Sequence, residues 1–166
     1  MANQVSRCQF ILAVVGSTPT SPLIFQFKES KMAKIYIYSR RQVQRLIPSS
    51  KSILISIASP GQNHPKVSGS WRSLQLKFHD IDEVREEGDT IINEWHAVNI
   101  LKYLDITQPE EIVINCEAGI SRSAGVAVAL EEILNGNNKA FKKYPNHNRR
   151  VASTILRVWH ERFSGN

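Results

Sequence analysis

The sequence predicts a single α/β domain of three layers, a mostly parallel central sheet flanked by helices. Three observations predict it. Short apolar runs of strand type alternate with helical segments along the chain. Two of these runs, Ser52–Ala58 and Ile112–Ile114, are apolar enough to be central strands rather than half-exposed ones. The last run ends in a glycine-containing loop that opens directly into a helix, and α/β sheets gather their ligands beyond such strand ends.

The elements follow in order. Ile35–Tyr38 reads as the first strand, and Ser39 as the cap of a short helix running to Leu46 and stopped by Pro48. Ser52–Ala58 is the second strand, and the Ser59–Pro65 segment, with two prolines and a glycine, is a loop. Trp71–Phe78 alternates partly and reads as a third strand, followed by an acidic loop from Asp80 to Asp89. Thr90 is placed to cap a helix over Ile91–Leu104, with Ile91, Trp95, Val98 and Leu101 on one face. Gln108-Pro109 ends that connection, and Ile112–Ile114 leads to Cys116. A helix over Ser123–Leu134 closes at Gly136, and two more are expected near Lys139–Lys143 and Arg149–Phe163.

Composition narrows the class. With 166 residues and 42% hydrophobic content, the chain can bury one substantial core. Cys8 and Cys116 are too few and too far apart for a disulfide framework, so a reducing, cytoplasmic setting is expected. No apolar run approaches the roughly 20 residues of a membrane-spanning helix, and no membrane partner is expected. The net charge is +6, with Lys139, Lys142, Lys143, Arg149, Arg150, Arg157 and Arg162 set against three acids after Ala124. These cations read as solvated helix faces, and nucleic acid is not indicated because no zinc-finger spacing or aromatic RNA-binding motif is present. His64, His147 and His160 have no metal-ligand spacing.

Residues 1–31 differ from the rest. They hold few charges, an apolar run at Phe10–Val15 and a Gly-Ser-Thr-Pro-Thr-Ser-Pro stretch. The domain is expected to begin near Met32, with residues 1–31 an appended segment or a misplaced start. A signal peptide fits poorly, because the run of six is shorter than the usual ~7–15 and Arg7 is the only early charge.

The chemistry concentrates at Cys116-Glu117-Ala118-Gly119-Ile120-Ser121-Arg122-Ser123. Free thiols have a pKa of about 8.5, and the thiolate is the nucleophile. At a helix N-terminus beside an arginine, the dipole, the free N–H groups and the charge all favour thiolate. The same donors suit the oxygens of a phosphate, and Arg122 can hold two of them. Gly119 lets the loop turn with its amides inward. Ser121 and Ser123 offer hydroxyls near the sulfur, Ser123 being the expected helper in breaking a phosphocysteine.

This stretch resembles the signature loop of the cysteine-dependent protein tyrosine phosphatases. It is most similar to the dual-specificity branch and the small bacterial and phage enzymes near it. The resemblance implies hydrolysis of phosphotyrosine, and of phosphoserine or phosphothreonine, through a phosphocysteine intermediate. It implies a phosphorylated protein or peptide substrate, no metal or organic cofactor, and a monomer. It also implies a general acid from an aspartate upstream of the cysteine. Leu76-Lys-Phe-His-Asp80 puts Asp80 in register, with Asp82 the alternate and His79 disfavoured. The family's histidine before the cysteine is here Asn115, whose amide can donate to loop carbonyls but carries no charge. Pro145-Asn-His-Asn148 resembles a turn of the dual-specificity group and reads as a structural cap. Glu117 is expected to point outward at the rim. His96 reads as a packed or surface residue. The alternatives are a pseudophosphatase that binds without turnover and an RNA 5′-phosphatase of the same fold. A phosphoinositide phosphatase stands third, opposed by Glu117.

Overall fold

A computed structural model describes residues 32–164. The 1–31 segment, with Cys8 and the Phe10–Val15 run, lies outside the described residues. The strands are β1 (Lys34–Ser39), β2 (Ser52–Ala58), β3 (Arg72–Lys77) and β4 (Glu111–Cys116). The helices are α1 (Arg40–Val43), α2 (Glu94–Thr107), α3 (Arg122–Asn135), α4 (Ala140–Lys143) and α5 (Arg149–Arg162). The four strands form one sheet, in the order β1-β4-β2-β3, and every pairing is parallel. The predicted three-layer α/β class is therefore the observed one.

Sheet burial follows the apolar runs. Every residue of β2 is buried, as are Ile112 to Cys116 of β4. On one face, Ile53, Ile55, Ile57, Ile112 and Ile114 join Ile100, Leu101 and Leu104 of α2 and Leu130 of α3. Val151, Ile155 and Val158 of α5 complete that core. Each fully buried isoleucine or leucine there is worth about 1.5–3 kcal/mol relative to exposure. On the other face Leu54 and Val113 pack with Val43 of α1.

Several boundaries differ from expectation. The short helix capped by Ser39 ends at Val43 rather than Leu46, and the chain continues as turns closed by Arg45 N–H to Gln42 O and Leu46 N–H to Val43 O. β3 occupies Arg72–Lys77, one residue shorter at each end. The helix expected over Ile91–Leu104 runs instead from Glu94 to Thr107, capped by Asn93 and not Thr90. Thr90 is engaged elsewhere: its N–H donates to His79 Nδ1 and its carbonyl accepts from His79 N–H, closing the acidic loop at its base. The buried face of α2 is accordingly His96, Ala97, Ile100, Leu101 and Leu104, and Trp95 is 62% exposed.

Two features set the position of α5 against α3. Asn148 caps α5, its side chain accepting from Val151 N–H at 3.0 Å, which bears out the expected structural cap. Gly125 of α3 lies beneath it, where a Cβ would stand 2.6 Å from Asn148 O and 2.8 Å from Val151 Cβ. A helical glycine costs roughly 1 kcal/mol relative to alanine. Here it lets the start of α5 reach the start of α3. No helix among the described residues is long and apolar enough to cross a membrane.

Candidate active site

β4 is a central strand, so its carboxyl end emerges in the middle of the sheet edge. Cys116, its last residue, lies opposite Ser39 of β1. The loop from Cys116 turns immediately into α3 at Arg122. It is held on two sides. Arg40 N–H donates to Glu117 O at 3.1 Å, and Asn148 N–H donates to Ser121 O at 3.1 Å. Gly119 adopts φ +73 within it.

The Cys116 sulfur is buried at this junction. Sγ lies 3.1 Å from Ser123 Oγ and accepts from Gly119 N–H at 3.3 Å. Burial pushes the thiol up, since desolvation penalises the charged form. Hydrogen bonds from the Ser123 hydroxyl and from the N–H groups of Ser123, Gly119 and Ser121 outweigh it, and the net direction is downward. Ser121 caps α3 with no side-chain hydrogen bond to the helix. Its hydroxyl, expected near the sulfur, donates instead to Asp80 Oδ1 at 2.7 Å. Of the two serines only Ser123 serves the sulfur with its side chain.

Arg122 is 4% exposed. Nη1 donates to Phe78 O at 2.8 Å and Ser59 Oγ at 3.1 Å, which fixes the guanidinium plane. Nε is fully buried and has no hydrogen-bond partner among the described residues. A buried guanidinium donor without an acceptor is costly.

Asp80 reaches the same loop from the end of β3. Besides Ser121, Asn148 Nδ2 donates to Asp80 Oδ1 at 3.0 Å. Asp82 makes no hydrogen bond or ion pair with the loop residues. Glu117 points outward, 56% exposed, and pairs with Arg40 at 3.5 Å. Ala118 and Ile120 are exposed along the rim.

Asn115 departs from expectation. It is 1% exposed, and neither Oδ1 nor Nδ2 has a hydrogen-bond partner. It does not brace loop carbonyls. Its strand direction explains this, because Asn115 shares the face of Val113, in a row with Tyr38 and Ser56. Ser56 finds His64, with Oγ 3.0 Å from Nδ1. His96 is packed: Nδ1 accepts from Asn93 N–H at 3.2 Å and Nε2 lies 3.2 Å from Lys77 O.

Sequence reasoning missed Ser59 as a brace for Arg122 and Asn148 as a partner of Asp80. The cap signal at Asn148 was visible; the contact to Asp80, 68 positions away, has no local signature. No group of three or more His, Cys, Asp or Glu among the described residues is arranged to hold a metal ion. A cavity of about 570 Å³ lies away from Cys116, beside β3, lined by residues that include His64, Lys77, Trp95 and His96. Comparison with known proteins gave no matching family model and no matching curated protein.

Proposed function

We propose that this chain is a cytoplasmic, cysteine-dependent phosphoprotein phosphatase acting on phosphotyrosine, and on phosphoserine or phosphothreonine, monoesters. The observation that carries the reading is the junction of β4 and α3. Cys116 Sγ there meets Ser123 Oγ and Gly119 N–H, and Arg122 opens α3 from the same loop with its guanidinium held by Phe78 O and Ser59 Oγ. A nucleophile, an anion cradle and a cation are thus carried by one loop.

The reaction runs in two displacements. The Cys116 thiolate attacks phosphorus, the S–P bond forms, and the P–O ester bond breaks. The loop N–H groups and Arg122 stabilise the charge on the phosphoryl oxygens. The leaving oxygen takes the bond's electron pair and a proton from Asp80. Water then attacks phosphorus and gives its proton to Asp80. The S–P bond breaks, inorganic phosphate leaves, and the Ser123 hydroxyl donates to the departing thiolate. Hydrolysis of para-nitrophenyl phosphate by wild type, with loss of turnover and of a trappable phosphocysteine in Cys116→Ser, tests the reading. A folded wild type that binds phosphate without turnover would favour a pseudophosphatase.

A second substrate class, RNA 5′-phosphates, draws on Arg149 and Arg150. Both are exposed at the start of α5, directly after Asn148, whose amide donates to Asp80. Comparing a 5′-phosphorylated RNA with a phosphotyrosine peptide separates the two.

A further inference from the structure

We infer that Asn148 and Ser121 act as positioning residues that decide which oxygen of Asp80 carries the catalytic proton, fixing it on Oδ2. The inference rests on the phosphatase reading above and adds to it two residues with no assigned part in proton transfer.

Two donors from different elements converge on one oxygen. Ser121 Oγ stands 2.7 Å and Asn148 Nδ2 3.0 Å from Asp80 Oδ1. A carboxyl oxygen has two lone-pair directions, and here both are taken. A proton on Oδ1 would have to displace one donor. The neutral acid therefore keeps Oδ1 as its carbonyl oxygen and holds its hydroxyl at Oδ2. The amide orientation is settled by the cap: Asn148 Oδ1 accepts from Val151 N–H at 3.0 Å, so Nδ2 is the group that faces Asp80.

The residue type also speaks for a role beyond capping. Serine, threonine or aspartate would cap α5 about as well as asparagine. Aspartate has no donor and a serine or threonine hydroxyl is a single short-reaching atom, whereas the asparagine amide accepts from the helix through Oδ1 while Nδ2 reaches Asp80. Asn148 is buried, and its own N–H holds Ser121 O at 3.1 Å, so one residue fixes the acid and the loop that carries the second donor. The Gly125 approach brings that cap into place.

The test is a leaving-group series of aryl phosphates, because protonation matters most when the leaving oxygen is basic. Asn148→Ser keeps a cap and takes away the amide Nδ2 that reaches Asp80. Its kcat/KM for phenyl phosphate is expected to fall about tenfold to a hundredfold. The loss should shrink as the phenol becomes more acidic, steepening the dependence on leaving-group pKa. Ser121→Ala, which leaves α5 untouched, should steepen it as well. In an Asp80→Asn background neither change should add to the slope. A wild-type slope in both single variants, with wild-type turnover intact, overturns the inference and leaves the Cys116 reading standing. Absence of turnover by a folded wild type on every aryl phosphate overturns both.

Discussion

Gly119 sits against Ser39 so closely that a Cβ on the glycine would stand 2.6 Å from the Ser39 amide nitrogen. The contact joins the Cys116 loop to the end of β1, and the neighbouring Tyr38 carbonyl carbon and oxygen would lie at 2.7 and 2.9 Å. All three atoms are backbone and cannot swing aside. The glycine also has φ +73, a region that costs a side-chain-bearing residue roughly 1–2 kcal/mol.

Gly119→Ala is therefore expected to displace the loop while leaving the sheet folded. Its N–H would withdraw from Cys116 Sγ, and the thiol would lose one of the donors that lower its pKa. The variant should keep its far-ultraviolet dichroism, lose phosphate binding, and titrate its thiol at higher pH than wild type. Unchanged phosphate binding would show that the loop tolerates the added methyl, contrary to the contact at Ser39.

The Ser123 hydroxyl is the strongest of the groups that lower the Cys116 pKa against the opposing pull of burial. That hydrogen bond favours the charged thiolate, so Ser123→Ala should raise the thiol titration midpoint. Thiolate absorbance followed against pH measures it. In turnover, the deficit should fall on the second displacement, and a burst of released phenol should precede a slow steady state. A midpoint equal to wild type would remove Ser123 from the thiolate's support.

The legible parts of this chain are those governed by local rules. Apolar runs located all four strands, Ser39 and Asn148 announced their caps, and Gly136 closed α3 in the left-handed conformation. The start of α2 lies three residues beyond the expected cap at Thr90. The backbone of Thr90 is paired instead with His79 across the acidic loop, a contact with no local signal. The true cap at Asn93 has its reciprocal partner in His96, outside the usual Glu or Gln pattern. Trp95 falls in the first turn of α2, off the buried stripe of Ala97, Ile100, Leu101 and Leu104, and is exposed. At the site, Cys116, Arg122 and Ser123 could be read because they lie within eight consecutive residues. The brace of Arg122 by Ser59 and Phe78 and the clamp on Asp80 join elements far apart in sequence, and only the fold reveals them.

Two histidines predict how stability varies with pH. Burial lowers the pKa of His96, outweighing the Lys77 carbonyl, which raises it. Burial also lowers His64, helped by the charges of Lys77 and Arg40. Both folded values lie below the unfolded value of about 6.5. Their contribution to stability is complete above that value and is lost as pH falls through the folded ones. His96 has a structural reason to resist a second proton, since Nδ1 already accepts from Asn93 N–H. Urea midpoints should fall between about pH 7.5 and pH 5, and His96→Gln, which keeps a donor and an acceptor, should flatten the decline. A decline identical in the variant would move the effect to other groups.

Asn115 offers the sharpest test of the sheet's second face. Its amide is buried with both polar atoms unpaired, in a row whose other members are Tyr38 and Ser56. An unsatisfied buried polar group costs about 1–3 kcal/mol, and an apolar group of similar shape removes that cost. Leucine has the branching and side-chain heavy-atom count of asparagine, and Val113 and Leu54 already line this face. Asn115→Leu should therefore raise the urea midpoint, by a gain of about 1–3 kcal/mol at unchanged m-value. A loss of similar size would mean that the amide is satisfied in solution, through water or a shifted Ser56. The thiol titration of the same variant adds a second readout. The side chain of Asn115 points away from the sulfur and touches none of the donors around Cys116, so the midpoint should stay at the wild-type value even as the fold gains stability.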